Sequence, residues 1–326
     1  MSAQRRRKDS KWTIVIWAIN IIGGLSLLAV LIVYWSQQSA KASPQASAAL
    51  ESTPYPPYPT LTAVPTRYYL PSVTPNPLST MVLATTATPF DLPNGPAPVL
   101  IGFSAEGRPL EVYIFGQGEI EDMIIGGIHG GYEWNTIALA DQLITYVNNN
   151  PDVIPSDVTL YILPDMNPDG DARSHDEWGR VNANGVDLNR NFPIGWAPTW
   201  NRSGCYDLTL TTSGRGPGSE PETRLVMNFI ASHKINAVID YHSAGLGIFP
   251  GGTPWDAASI QLARELKSVT TYPFPPINTG CIYSGTLPDY AVSEGAAAVD
   301  MELATHDSTD FSMNLRALNV LLNFSK

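Results

Sequence analysis

Cysteine is almost missing from this chain. Cys205 and Cys281 are the only two in 326 residues, so at most one internal disulfide can form and a disulfide-rich scaffold is excluded. Two free buried thiols are the alternative, because spacing along a chain says nothing about separation in space. Basic residues are scarce outside one short stretch. The net charge is −11, yet Arg5, Arg6, Arg7, Lys8 and Lys11 against Asp9 leave the first eleven residues at +4, so the remainder carries −15. Such a body repels nucleic acid. No internal repeat is present, which removes solenoids and other repeat architectures.

What the chain does contain is sharply partitioned. Residues 1–11 form a basic tail. Trp12 to Trp35 is a continuous apolar run broken only by small or weakly polar residues such as Asn20 and Ser26. It meets the ~20 residues a bilayer-spanning helix requires. Trp12, Trp17, Tyr34 and Trp35 fall near its ends, where interfacial aromatics belong. The preceding basic cluster predicts a cytoplasmic N-terminus and a cell-membrane protein whose bulk lies outside the cytoplasm. A cleaved signal peptide is the competing reading, with Ala40-Lys41-Ala42 as a weak site. The run exceeds the ~7–15 residues of a signal's apolar core, which favours an uncleaved anchor. Residues 36–98 are rich in Pro, Ser, Thr and Ala and lack apolar periodicity. They read as an extended tether.

Residues 99–326 carry the globular pattern. Strands are predicted at Leu110–Gly116, Met123–Ile128, Val158–Leu163, Asn236–Tyr241 and Ala296–Leu303. Helices are predicted at Thr136–Val147, Trp255–Thr271 and Thr309–Phe324, and another through about Ser232 from a capping box, Ser219-Glu220-Pro221-Glu222. The alternation predicts a three-layer α/β sandwich around a mixed, mainly parallel sheet flanked by helices, preceded by one transmembrane helix. Residues 164–218 show almost no regular pattern, and a loop that long in a compact domain is usually functional.

The polar residues at strand ends are informative. His129 and Glu133 follow a β-prone run through glycines into a helix, at the edge of an α/β sheet where ligands bind. An imidazole and a carboxylate placed there make half of a catalytic zinc site; a glycine-rich turn with a capping Glu is the plainer reading. His242 ends the buried run Ala237–Tyr241 and is a second possible imidazole ligand. Glu302 and Asp300 share one face of an apolar strand, where a carboxylate is costly without a compensating metal, cation or catalytic role. Arg180 and Arg190 in the long loop offer planar forks suited to a carboxylate or an oxyanion.

Asn167-Pro168-Asp169-Gly170, then Gly185-Val186-Asp187-Leu188-Asn189-Arg190-Asn191-Phe192, then Ser219–Glu222, a strand ending His242-Ser243 and a late strand with Glu302 together resemble the zinc metallocarboxypeptidase family. Carboxypeptidase A is its best-known member. The opening Ile101–Leu110 looks like the first motif of the bacterial branch. The resemblance covers 99–326 and none of the anchor or tether.

It implies one zinc ion held by His129, Glu133 and His242, with Asp187 behind His129. Arg180 would polarise the scissile carbonyl, and Asn189 and Arg190 would hold the substrate's terminal carboxylate. Glu302 would be the general base. Leu287 and Asp289, near the pocket for the departing residue, point respectively to an apolar or to a basic or diamino residue. The implied substrate is a peptide with a free C-terminus. A cell-wall peptide cut at a diaminopimelate bond, a related amidohydrolase, or a tethered binding protein without turnover are the alternatives. One departure stands out: the family usually has two residues between its first His and the Glu, and here Gly130, Gly131 and Tyr132 intervene. The paired glycines are expected to absorb the added residue through φ > 0.

Overall fold

The computed structural model describes residues 95–199 and 211–326. The basic tail, the apolar run at 12–35, nearly all of the tether and Cys205 lie outside them. Among the described residues no helix is long and apolar enough to cross a membrane.

Seven strands form one sheet: β1 (Val99–Phe103), β2 (Pro109–Gly116), β3 (Ile120–Ile125), β4 (Val158–Leu163), β5 (Ile235–Ser243), β6 (Ile248–Pro250) and β7 (Ala297–Leu303), in the order β1-β2-β4-β3-β5-β7-β6. The β4/β3, β3/β5 and β5/β7 pairs are parallel, whereas β1/β2, β2/β4 and β6/β7 are antiparallel. By pairings the sheet is thus evenly mixed rather than mainly parallel, with its parallel strands gathered at the centre. The helices are α1 (Trp134–Asn149), α2 (Pro168–Arg173), α3 (Pro221–Ser232), α4 (Ala257–Val269), α5 (Leu287–Ser293) and α6 (Phe311–Leu322).

Alternation along the central strands builds two apolar layers. Ile124, Leu160, Ile162, Ile239 and Val299 face a cluster with Leu139 and Leu143 of α1, Leu262 of α4 and Leu318 of α6. Met123, Ile125, Leu163, Val238 and Ala298 face Val226 and Ile230 of α3, Leu287 and Tyr290 of α5, and Leu188 and Phe192 of the long loop. Helices on both faces explain why the central strands read as unbroken apolar runs. Each wholly buried Leu or Ile contributes roughly 1.5–3 kcal/mol of transfer free energy.

Several elements differ from expectation. β3 begins at Ile120 and ends at Ile125, so Gly126, Gly127 and Ile128 leave the sheet as a turn. β5 runs on to Ser243, which puts His242 inside the strand. The edge strands β1 and β6 and the short α2 and α5 were not predicted; each has too few residues to show a period. The capping box does not form. Glu220, not Ser219, precedes α3 and makes no side-chain cap. Ser219 Oγ donates to Glu220, while Glu220 accepts from Asn182 and Asn184, and Glu222 from the Ala105 N–H and Asn182. Long-range partners outbid the local cap. In the same way the buried Asp169 carboxylate accepts from Ser104 Oγ, the Glu106 N–H and Arg108. These acids pin the described parts of the long segment, 164–199 and 211–218, which are organised by α2, by 3-10 turns at Glu177–Gly179 and Leu188–Arg190, and by a bridge from Val186 to Thr212.

One buried acid lies away from these networks. Asp122 in β3 is wholly buried and its Oδ1 accepts from Asn236 Nδ2 at 3.0 Å, while Oδ2 has no hydrogen-bond partner. Burial pushes its carboxyl from the ordinary 3.8 up to about 7, against the opposing bonds from Asn236 and the Ala237 amide. Between those values the folded protein keeps a proton that the unfolded chain has released, so stability falls as pH rises through that window. Asp122→Asn is therefore expected to be more stable than wild type by about 1–3 kcal/mol at pH 8, with the gap closing near pH 4. Thermal melts at the two pH values check this; equal destabilisation at both would contradict it.

Candidate active site

The turn after β3 is set by close backbone packing. Gly130 has φ +45°, and a Cβ on it would stand 2.7 Å from the Gly179 carbonyl oxygen. A Cβ on Gly131 would stand 2.1 Å from that of Ser174, with no positive φ involved. The first glycine answers the expectation of φ > 0; the second is required by proximity alone. Gly130–Glu133 forms a 3-10 turn that brings Glu133 inward before α1. Tyr132, at the spacing the family usually gives its Glu, borders the cavity beside His306, with ring centroids 5.0 Å apart.

His129, Glu133 and His242 come together. One ligand-type atom from each lies within 4.8 Å of the others, and all three residues are buried. His242 Nδ1 is 3.3 Å from Glu133 Oε2, and the two imidazole centroids are 4.8 Å apart. His129 Nδ1 is buried with no hydrogen-bond partner. Two imidazoles, one carboxylate and an orphaned ring nitrogen fit zinc chemistry, which takes three protein donors and keeps a fourth position open. A second cluster, Asp240–His242–Asp300, shares His242. It approaches from the other ring edge: Nε2 is 3.1 Å from Asp240 Oδ2 and 3.3 Å from Asp300 Oδ1. Carboxylates there serve as acceptors for the outer N–H of a metal-binding histidine.

Other predicted residues surround this triad. Arg180 Nη1 donates to Glu133 Oε1 at 3.2 Å and Nε to Asp187 Oδ2 at 3.0 Å. Asp187 lies beside His129 but does not bond it; Oδ1 to Nδ1 is 3.6 Å, and Oδ1 instead accepts the Asn189 N–H. The register pairs His242 with Glu302 across β5 and β7, and Asp240 with Asp300, which sets Glu302 beside the triad. Asn189 is engaged on every side: Nδ2 meets Asp300 Oδ2 and His242 Nε2, and Oδ1 accepts the Leu287 N–H. Arg190 is buried, donates to the Asn189 carbonyl, and has Cζ 5.2 Å from the Tyr283 ring centroid. Leu287 departs from expectation. It is wholly buried in the apolar layer with Leu188 and Phe192 and does not border the cavity, so it cannot make that pocket apolar. Asp289 does border it, accepting the Gly252 N–H at 2.7 Å.

The electrostatics follow burial and charge. Burial and then Arg180 hold His129 well below its usual range, so the ring stays neutral and able to ligate. Burial alone would lower His242 too, but Asp300 and Asp240 outweigh it and raise it; a cation at Nδ1 competes directly with that proton. Burial, then the Glu133 charge, pushes Glu302 up to about 8. Positive charge at the triad opposes that push.

The site opens into a cavity of about 850 Å³. Asp240, Ser243, Tyr283 and His306 belong to it or support it and were not predicted. Asp240 was legible in principle, two residues before His242 on the same strand face. Tyr283 and His306 sit in irregular segments with no local signal. Cys281, also at the cavity, is disulfide-bonded; Cys205, the only other cysteine, lies outside the described residues.

Comparison with known proteins agrees with this geometry. The zinc carboxypeptidase family model matches residues 92–317. Carboxypeptidase B of Astacus astacus is 32% identical over 254 residues, 66% of this chain and 80% of that protein. Metallocarboxypeptidase A of Trichophyton tonsurans is 32% identical over 227 residues, covering 59% of this chain but only 54% of its own length. Among solved structures, carboxypeptidase A from Helicoverpa armigera (TM-score 0.53, 24% identity, 70% of this chain and 67% of that one) and murein-tripeptide amidase from Escherichia coli O157 (TM-score 0.53, 24% identity, 71% and 93%) share the fold. With two imidazoles and a carboxylate meeting at the sheet edge and a family match over most of its length, the chain belongs to the zinc carboxypeptidase family of metallopeptidases.

Proposed function

We propose that the chain is a membrane-anchored, extracytoplasmic carboxypeptidase that hydrolyses the last peptide bond of its substrate. One observation carries this reading: Glu302 sits in register with His242 beside the His129–Glu133–His242 triad, with Arg180 and Arg190 in the same cavity. His129, Glu133 and His242 would hold zinc, which when bound supplies a Lewis-acid charge that acidifies water. Arg190, reaching into the cavity beside Tyr283, receives the terminal carboxylate and orients the chain. Arg180 donates toward the oxygen that becomes negative as the carbonyl is attacked. Glu302 takes a proton from the attacking water, the C–N bond breaks, and the same proton passes to the departing amine. The basic cluster, the 12–35 apolar run and the Pro-rich 36–98 segment support anchoring with the domain outside. Loss of the domain on protease treatment of intact cells tests that orientation, and its survival would contradict it.

The residue released is expected to carry a cationic nitrogen. Nε2 of His242 has one proton to give when Nδ1 ligates, and two carboxylates flank it. Asp240 is closer and fully buried, whereas Asp300, whose Oδ2 also accepts from Asn189 Nδ2, borders the cavity together with Asp289, so the two acids give that wall a negative charge. This favours lysine, arginine or, as a second reading, the diaminopimelate of a cell-wall peptide; a murein-tripeptide amidase shares the fold. A profile of C-terminal residues released from matched peptides, with and without chelator, is the test. Lysine should exceed norleucine in kcat/KM by roughly tenfold or more, and chelator should abolish release. Zinc-loaded protein that binds these peptides without cleaving them would replace the enzyme with a tethered binding module.

A further inference from the structure

His306, four residues beyond Glu302, lies in the loop between β7 and α6 and borders the cavity. Its protonation pattern follows from a chain of hydrogen bonds. Asn135 Nδ2 donates to the carbonyls of Thr305 at 2.7 Å and Ser308 at 2.9 Å. That fixes the Asn135 amide, so its Oδ1 is an acceptor. Ser243 Oγ lies 2.9 Å from this Oδ1 and gives it the one hydroxyl proton. The same Oγ is 2.9 Å from His306 Nδ1. Having spent its proton, the hydroxyl can only accept there, so His306 carries its hydrogen on Nδ1. Nε2 is then a bare acceptor on a ring at the cavity wall.

Its place relative to the other site groups gives that acceptor a task. Arg190 is bonded to Asn189, whose amide meets Nε2 of His242. His306 is bonded to Ser243, whose backbone N–H donates to Glu133 Oε2 at 3.0 Å, the atom facing Nδ1 of that same ring. Through these bonds the two groups connect to different edges of the His242 imidazole, both within the lining of one cavity. A substrate whose terminal carboxylate is at Arg190 runs past the triad toward His306 and Tyr132. We propose that His306 Nε2 accepts a backbone N–H of the substrate on the acyl side of the scissile bond, with the Tyr132 ring as the flank of that subsite. The inserted residue of the His129–Glu133 turn thereby gains a use: it places an aromatic face where the incoming chain lies. This inference rests on the carboxypeptidase reading, and it predicts that a substrate is read over more than its last residue.

The test is a set of matched peptides in which each of the two amides N-terminal to the scissile bond is N-methylated in turn. Full-chain wild type should lose roughly five- to tenfold in kcat/KM on methylation at one of the two positions. In His306→Phe, which keeps a ring against Tyr132 but has no acceptor, that ratio should fall to about one. Ser243→Ala, which frees the tautomer, should reduce it in part, and serves if His306→Phe does not fold. The same ligand pairs measured by calorimetry on zinc-loaded Glu302→Gln protein separate two failures. If wild type cleaves no peptide, but the methylation penalty in binding to the Glu302→Gln protein remains and disappears when His306→Phe is added, the carboxypeptidase reading fails and the subsite stands. A wild-type ratio near one at both positions, or a penalty unchanged in His306→Phe, overturns the inference.

Discussion

Glu302→Gln is expected to lower kcat/KM by at least about 10²–10⁴-fold while leaving zinc at one ion per chain. The amide has the shape of the carboxylate but cannot take a proton from water at any working pH. Oε2 of Glu302 is buried without a hydrogen-bond partner, and burial together with Glu133 disfavours its ionised form more than His242 and Arg180 favour it. The substitution should therefore be neutral or mildly stabilising to the fold and severe only for turnover. Metal analysis alongside steady-state kinetics on one preparation checks both halves. Activity within a few-fold of wild type would remove Glu302 from the role of base. Loss of zinc together with activity would make it a ligand instead.

Glu133→Ala is expected to weaken zinc binding by more than the 10- to 100-fold typical of losing an outer-sphere partner. The carboxylate is one of three donors, and its removal also strips a partner from Arg180 Nη1 and from the Ser243 N–H, both in buried surroundings. Leaving the Ser243 N–H unpaired costs about 1–3 kcal/mol, so the variant should also melt earlier. Tyr132→Phe provides the contrast. If the added residue had shifted the ligand role to the usual spacing, removing the phenol oxygen would weaken zinc binding; with Glu133 as ligand, zinc affinity should stay within about twofold. Competition against a fluorescent chelator reads both variants. Unchanged affinity in Glu133→Ala would sink the assignment across the inserted residue.

What could be read from the chain itself divides by the range of the forces involved. The central strands were legible because two-sided burial leaves unbroken apolar runs, as in Val158–Leu163. Helices α1, α4 and α6 were legible from their apolar faces; α4 and α6 stop two residues inside the expected bounds at each end, and α1 runs two residues beyond them. His129, Glu133 and His242 were legible because they punctuate such runs. The capping box at Ser219 was misread because Glu220 and Glu222 find stronger partners more than thirty residues away in Asn182, Asn184 and the Ala105 amide. Leu287 was misplaced because a segment near a pocket need not point into it; the Asn189 side chain captures its N–H and turns the side chain to the core. Asp187 is next to His129, as the resemblance implied, yet Arg180 and Asn189 hold its oxygens. His306 owes its position to Asn135 and Ser243, contacts across more than sixty residues that no local pattern records.

The proposed anchor and tether lie almost wholly outside the described residues and rest on length, hydropathy and flanking charge alone. The catalytic reading depends on three distant residues sharing one ion. Anomalous diffraction at the zinc edge from zinc-loaded crystals tests that claim most directly. The account predicts one peak, about 2.0–2.2 Å from donor atoms of His129, Glu133 and His242. A peak instead among Asp240, His242 and Asp300, or none at either cluster in crystals of active protein, would contradict it.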